Sequence, residues 1–227
     1  MLLSMMFEQP MMLVATLTAL LYGLTVHEFA HAAAAKWQGD DTAEKLGRLS
    51  LNPVSHIDFM GLAFMLLAGF GWGKPVPVDY RNLKNGAKSD IIVSLAGIFT
   101  NFVSVFVFMI VMVLMYKDIN PISVFFGGYE SVNMLAYFLS ALIIFNLTLG
   151  IFNLIPIPPL DGSHVLFNVL PDKFNNFKIW LAQYGPMLLL TLILLDSFGG
   201  INIFGKLFLL PVSFIGGVFE VIKQIIY

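Results

Sequence analysis

LTVHEFAHAAAAKW, residues 24–37, sets a glutamate and two histidines inside a run that otherwise reads as membrane-buried helix. Charged and imidazole side chains are costly at that depth and mark functional positions by default. Composition says the same of the whole chain. Of its 227 residues, 58% are hydrophobic and 11% charged, and the mean hydropathy is +0.85. A soluble domain is nearer a quarter charged, so the fold class is an all-α polytopic membrane protein embedded in a lipid bilayer. The net charge of -2 argues against nucleic acid as a partner. With no cysteine, disulfides and thiolate metal sites are excluded. No lysine or arginine precedes Lys36, so the first apolar segment lacks a signal peptide's basic start and is expected to be retained.

Segments near the roughly 20 apolar residues that a bilayer requires fall at 11–36, 90–116, 133–156, 181–196 and 203–222. The fold expected is therefore about five transmembrane helices, with Asp196 at an interface. Residues 57–71 are apolar but short and rich in glycine. With the loop that follows, they read as a re-entrant, β-hairpin-like segment near residues 57–80. There is no repeat and no loop long enough for a separate folded unit, so residues 1–227 are expected to form one integral-membrane domain.

Basic residues set the orientation. Lys36, Lys45, Arg48, Lys74, Arg81, Lys84 and Lys88 lie between the first and second spans, Lys173 and Lys178 between the third and fourth, and Lys223 after the fifth. Ten of the twelve thus share one face, the expected cytoplasmic one. The N-terminus and residues 118–130 then face outward. His31 lies five residues before Lys36, roughly 7 Å deeper at ~1.5 Å per residue.

Residues four apart share a helical face, so His27 and His31 can direct two imidazoles at one ion. Glu28 beside them is placed to take a proton from a water molecule at that ion. On a helix, this H-E-x-x-H spacing is the pattern of zinc proteases. A buried polar cluster satisfied by neighbouring helices is the plainer alternative. A catalytic zinc usually takes three protein ligands, and the candidates for the third are His56, His164 and a carboxylate. The best placed is in FNLIPIPPLDGSH, residues 152–164. Pro156, Pro158 and Pro159 break the third span, and irregular backbone at membrane depth is tolerated where it lines a cavity. Asp161, followed by the permissive Gly162, is presented at about the depth of the histidines. Alternatively, Asp161 caps the helix that begins there.

His27-Glu28-Phe29-Ala30-His31 together with Asn153-Leu-Ile-Pro-Ile-Pro-Pro-Leu-Asp161-Gly162 resembles the site-2 protease family of intramembrane zinc metalloproteases. The resemblance extends to GRLSLNPVSHID, GWGKPVPVDYRNLKN and SLAGIFTN, over roughly residues 20–170. It implies that His27, His31 and Asp161 bind one zinc ion and that Glu28 is the general base. It further implies that Asn153 holds the scissile carbonyl or its oxyanion, and that membrane proteins are cut within the prokaryotic plasma membrane. The likeness is to minimal bacterial or archaeal members without PDZ or CBS domains, whose regulation comes from a homo-oligomer or a separate partner. The family's Gly-Pro followed by Asn stands here as Gly97-Ile98-Phe99-Thr100-Asn101, which puts the bend of the second span in question.

A spanning helix hides its carbonyls, so a substrate must unwind, and KPVPV at 74–78 is a candidate edge strand for it by β-augmentation. His56 reads as structural, and His164 as a neighbour of the site more than a ligand. The rival from another class is a membrane metal transporter, which would spread metal ligands over several spans. A catalytically dead relative is disfavoured by the intact His27, Glu28, His31 and Asp161.

Overall fold

The computed structural model describes residues 2–68, 70–117, 119–127 and 133–227. In chain order the helices are α1 (Leu2–Glu8), α2 (Pro10–Gln38), α3 (Thr42–Lys45), α4 (Phe59–Ala68), α5 (Ala87–Met115), α6 (Pro121–Phe126), α7 (Met134–Asn153), α8 (Asp161–Val169), α9 (Asn175–Gly199) and α10 (Ile203–Ile226). Among the described residues α2, α5, α7, α9 and α10 are long and apolar enough to cross a membrane. Of the segment expected outside, residues 121–126 form α6, while 118 and 128–130 lie outside the described residues.

The centre is a three-helix unit of α2, α5 and α7. Lipid tails are as apolar as leucine, so packing and interhelical hydrogen bonds hold such helices together. Small residues let the backbones approach: Ala19, Ala32, Ala35, Ala136 and Ala141 are all buried there. Thr16 on α2 and Tyr137 on α7 share a hydrogen bond of 2.9 Å, of a kind that stabilises by about 0.6 kcal/mol on average. α2 ends where Gly39 takes a left-handed turn, with φ of 110°, a conformation that glycine adopts without strain.

The end of the third span differs from expectation. The third span stops at Asn153, before its prolines, and residues 154–160 form an irregular loop that leads into α8. α5 runs unbroken through Ile98; with isoleucine in place of proline every backbone donor remains. The segment expected to be re-entrant and β-hairpin-like forms instead the helix α4, which packs against α1, and no strand occurs there among the described residues. Its return is closed by an antiparallel bridge between Ile57 and Gly73 and by the Lys74 N–H on the His56 carbonyl at 2.9 Å. Gly69 lies outside the described residues.

Candidate metal centre

α2 places His27 and His31 one turn apart, with their rings 4.5 Å apart and nearly perpendicular at 84°. Both are buried, at 3% and 8% exposure. α5 meets them with its backbone: a β-carbon at Gly97 would lie 2.6 Å from His31 Nε2 and 2.7 Å from His27 Cε1. Only glycine leaves room for the two rings there. The His31 Nδ1–H donates to the Val93 carbonyl at 2.8 Å, and the His27 Nδ1–H to Asn101 Oδ1 at 2.6 Å. Each ring therefore presents an unprotonated Nε2 to its neighbour.

Asp161 arrives from the other end of the chain. It is the first helical residue of α8 and not the cap before it, a place held by Leu160. Gly162 has an ordinary negative φ, so its conformational freedom is not used. A β-carbon there would lie 2.3 Å from the Leu154 carbonyl oxygen, and glycine is needed for close packing. Leu160, Leu189 and Ile193 form a buried apolar cluster that ties the loop to α9. Residues 161, 164 and 168 share one face of α8. His164 Nδ1 lies 3.4 Å from Asp90 Oδ1, and the Asn168 amide donates to the same carboxylate. These contacts with α5 fix the rotation of α8 and turn Asp161 toward the histidines.

Asp161 Oδ2 lies 3.1 Å from His27 Nε2 and 3.2 Å from His31 Nε2, and the two nitrogens are 3.0 Å apart. Three lone-pair atoms converge, and the buried Oδ2 has no donor. Unprotonated acceptors at that spacing repel one another unless a cation lies between them. A tetrahedral zinc bound at about 2.0–2.1 Å sets its ligand atoms roughly 3.3 Å apart. The residues fit the ion. Among the described residues no other cluster of three such groups meets this closely. His56 is fully buried elsewhere, with Nε2–H on the Ser50 carbonyl at 2.7 Å.

Glu28 is buried beside the triangle, and its Oε2 accepts the Val76 N–H at 2.8 Å. Val76 sits between Pro75 and Pro77, so this is the single N–H of that tripeptide. The strap that carries it is pinned at both ends. Arg48 Nη2 donates to the Lys74 carbonyl at 2.6 Å, and Asp40 Oδ2 accepts the Asp79 N–H at 2.8 Å. Burial raises the pKa of Asp40, but hydrogen bonds from Asn82, Thr42 and Asp79 outweigh that and hold it below the usual carboxylate value. The anchor thus stays charged at neutral pH. Its stabilising effect is lost only in acid, as pH falls through that lowered value.

His27, Glu28, His31, Val76 and Asp161 line a cavity of about 520 Å³, which also takes in Tyr80, Asn153 and His164. Tyr80 stacks on His164 with ring centroids 5.2 Å apart. Burial, with Asp90 and Asp161 nearby, pushes its phenol up to about 12, so it stays protonated. Asn153 turns back on its own helix, one amide hydrogen on the Leu149 carbonyl at 3.0 Å. Asn146 and Val93 fall outside the sequence motifs, and Asn101 and Gly97 enter them only as family pattern. The available signal was an amide inside an apolar span, since such polar groups are kept for a reason.

A bundle of membrane-spanning helices enclosing a His-His-Asp triangle beside a glutamate defines a membrane-embedded zinc metalloprotease. The sequence pattern of Peptidase family M50 matches residues 15–192, and the chain belongs to that family. It is 37% identical over 174 residues, 76% of this chain and 77% of the relative, to a protein of Bacillus subtilis named as a zinc metalloprotease, YwhC. It is 30% identical over 178 residues, 77% of this chain and 64% of the relative, to one of Mycolicibacterium smegmatis named as the zinc metalloprotease Rip2. It is 33% identical over 88 residues, 35% of this chain and 39% of the relative, to the protease RseP of Photorhabdus luminescens. No solved structure matches the chain. The chain is a multi-pass membrane protein and a zinc metalloprotease of the site-2 type; the transporter alternative gives way to that.

Proposed function

We propose that this chain works as one domain that hydrolyses peptide bonds in or near the transmembrane segments of membrane-protein substrates, as a step of regulated intramembrane proteolysis. The observation that carries the reading is the convergence of His27 Nε2, His31 Nε2 and Asp161 Oδ2 within 3.2 Å beside the Glu28 carboxylate. When bound, the zinc supplies a Lewis acid there. Glu28 keeps Oε2 on the Val76 N–H, which leaves Oε1 to receive the proton of the attacking water. The same carboxyl then gives that proton to the leaving nitrogen. Asn153 has a second amide hydrogen to offer the scissile oxygen. Of the strap, Pro75 and Pro77 can give an unwound substrate strand only their carbonyls. A neighbouring apolar cavity of about 380 Å³, lined by Leu20, Trp72, Phe145 and Phe204 among others, suits apolar side chains of a membrane segment.

The test is cleavage of single-span proteins co-reconstituted with this protein in sealed vesicles. Cleavage is expected to stop on addition of a zinc chelator and to return with added zinc. Zinc flux across the vesicles without any cut would overturn the reading.

The proposed setting is the prokaryotic plasma membrane, with the N-terminus outside and the centre nearer the cytoplasmic face, supported by the bias of basic residues. The chain has no cysteine, so Lys84→Cys and Phe126→Cys each introduce one label site, and position 126 is exposed. An impermeant thiol reagent applied to cells is expected to label 126 and not 84. Labelling of 84 alone inverts the topology.

A further inference from the structure

Two asparagines on neighbouring helices stand in line with His27. Asn101 on α5 and Asn146 on α7 are both fully buried. Asn146 Nδ2 donates to the Leu142 carbonyl at 2.8 Å, and Asn101 Nδ2 donates to Asn146 Oδ1 at 2.9 Å and to the Gly23 carbonyl at 3.1 Å. A backbone carbonyl can only accept. The Leu142 carbonyl therefore fixes the amide nitrogen of Asn146 on its side and leaves Oδ1 facing Asn101. The Gly23 carbonyl and that oxygen together fix both amide hydrogens of Asn101. What remains of Asn101 is an oxygen, and it faces His27 Nδ1 at 2.6 Å. An oxygen facing a ring nitrogen at that distance requires the proton to be on Nδ1.

We infer that Asn146 and Asn101 are positioning residues for the metal: through two amides they impose the Nδ1–H tautomer on His27 and hold its Nε2 lone pair toward the ion. His31 obtains the same from the Val93 carbonyl, which no side-chain substitution removes. For His27 the acceptor is the Asn101 side chain, held in turn by Asn146, so side chains of two further helices supply it. Metal-ligating histidines commonly give their other N–H to a partner, and losing that partner typically weakens metal binding 10–100-fold. Without an acceptor at Nδ1, His27 can carry its proton on Nε2, and a protonated nitrogen cannot ligate.

This inference rests on His27 being a zinc ligand, and the experiment separates the two. Zinc affinity is measured on detergent-purified protein by competition with a chromogenic chelator, with Co²⁺ substitution giving the spectrum of the ligand field. Asn101→Leu is expected to weaken zinc roughly 10–100-fold and to alter the Co²⁺ spectrum. Asn146→Ala frees Asn101 to rotate and is expected to weaken zinc in the same direction by less. Histidine ¹⁵N spectra of the zinc-loaded wild type are resolvable, because the chain has four histidines. They are expected to show His27 ligated through Nε2 with the proton on Nδ1. Should Asn101→Leu not fold, Asn146→Ala carries the test, and unchanged zinc affinity there overturns the inference as well. Metal on Nδ1 of His27, or unchanged zinc affinity in a folded Asn101→Leu protein, overturns the inference. Full zinc binding by His27→Ala would instead overturn the site itself.

Discussion

Glu28→Gln is expected to bind zinc and fold as the wild type does and to lose at least about 10³-fold in peptide hydrolysis, within the range that general acid–base groups supply. The expectation rests on what holds the side chain. Glu28 Oε2 accepts the Val76 N–H at 2.8 Å, and a glutamine of the same shape can keep that bond with its amide oxygen. The amide nitrogen then stands where Oε1 stood, and an amide does not accept a proton from water. The proposed zinc ligands His27, His31 and Asp161 are untouched, so metal content should remain near one ion per chain while product formation falls to background. Metal analysis of the purified protein and a cleavage assay on the same preparation measure both. Turnover like the wild type's would remove Glu28 from the chemistry.

Asp161→Ala should cost the protein its zinc, and His164→Ala should not. The two residues are three apart on α8, and histidine is the commoner zinc ligand, yet the fold sends them different ways. Asp161 Oδ2 is within 3.2 Å of both imidazole nitrogens, whereas His164 gives its Nδ1 side to Asp90 and its ring face to Tyr80. A carboxylate also offsets the charge of the dication in a site where buried charge is expensive, which neutral imidazoles alone would leave uncompensated. Loss of Asp161 is expected to weaken zinc more than the 10–100-fold of an outer partner and to end cleavage. His164→Ala should retain stoichiometric zinc and much of the activity. Zinc content and affinity of the two purified variants provide the check, and the reverse order would make His164 the ligand.

Those two expectations divide between what can be read along the chain and what cannot. His27, Glu28 and His31 are legible because helical periodicity alone puts residues four apart on one face. The prolines before Asp161 are legible as the end of a helix, since their effect is local to the backbone. Apolar run length yields the five spans in the same way. The proposed third ligand is less so: Asp161 and His164 are both reasonable from sequence, and the contacts of α8 with Asp90, which turn Asp161 toward the histidines, favour Asp161.

The pairings that complete the site have no local signature. Asn101 lies 74 residues from His27, Val93 62 residues from His31, and Val76 48 residues from Glu28. They meet only because α5 crosses α2 closely enough that Gly97 has no room for a side chain, and because the strap is pinned at Lys74 and Asp79. A membrane sequence determines which segments are helical and which faces carry polar groups, since water is absent and each segment must satisfy its own backbone. Which polar group finds which partner depends on how the helices are rotated and how near they come. That was decided by small residues and by hydrogen bonds between helices, at distances along the chain that no periodicity spans.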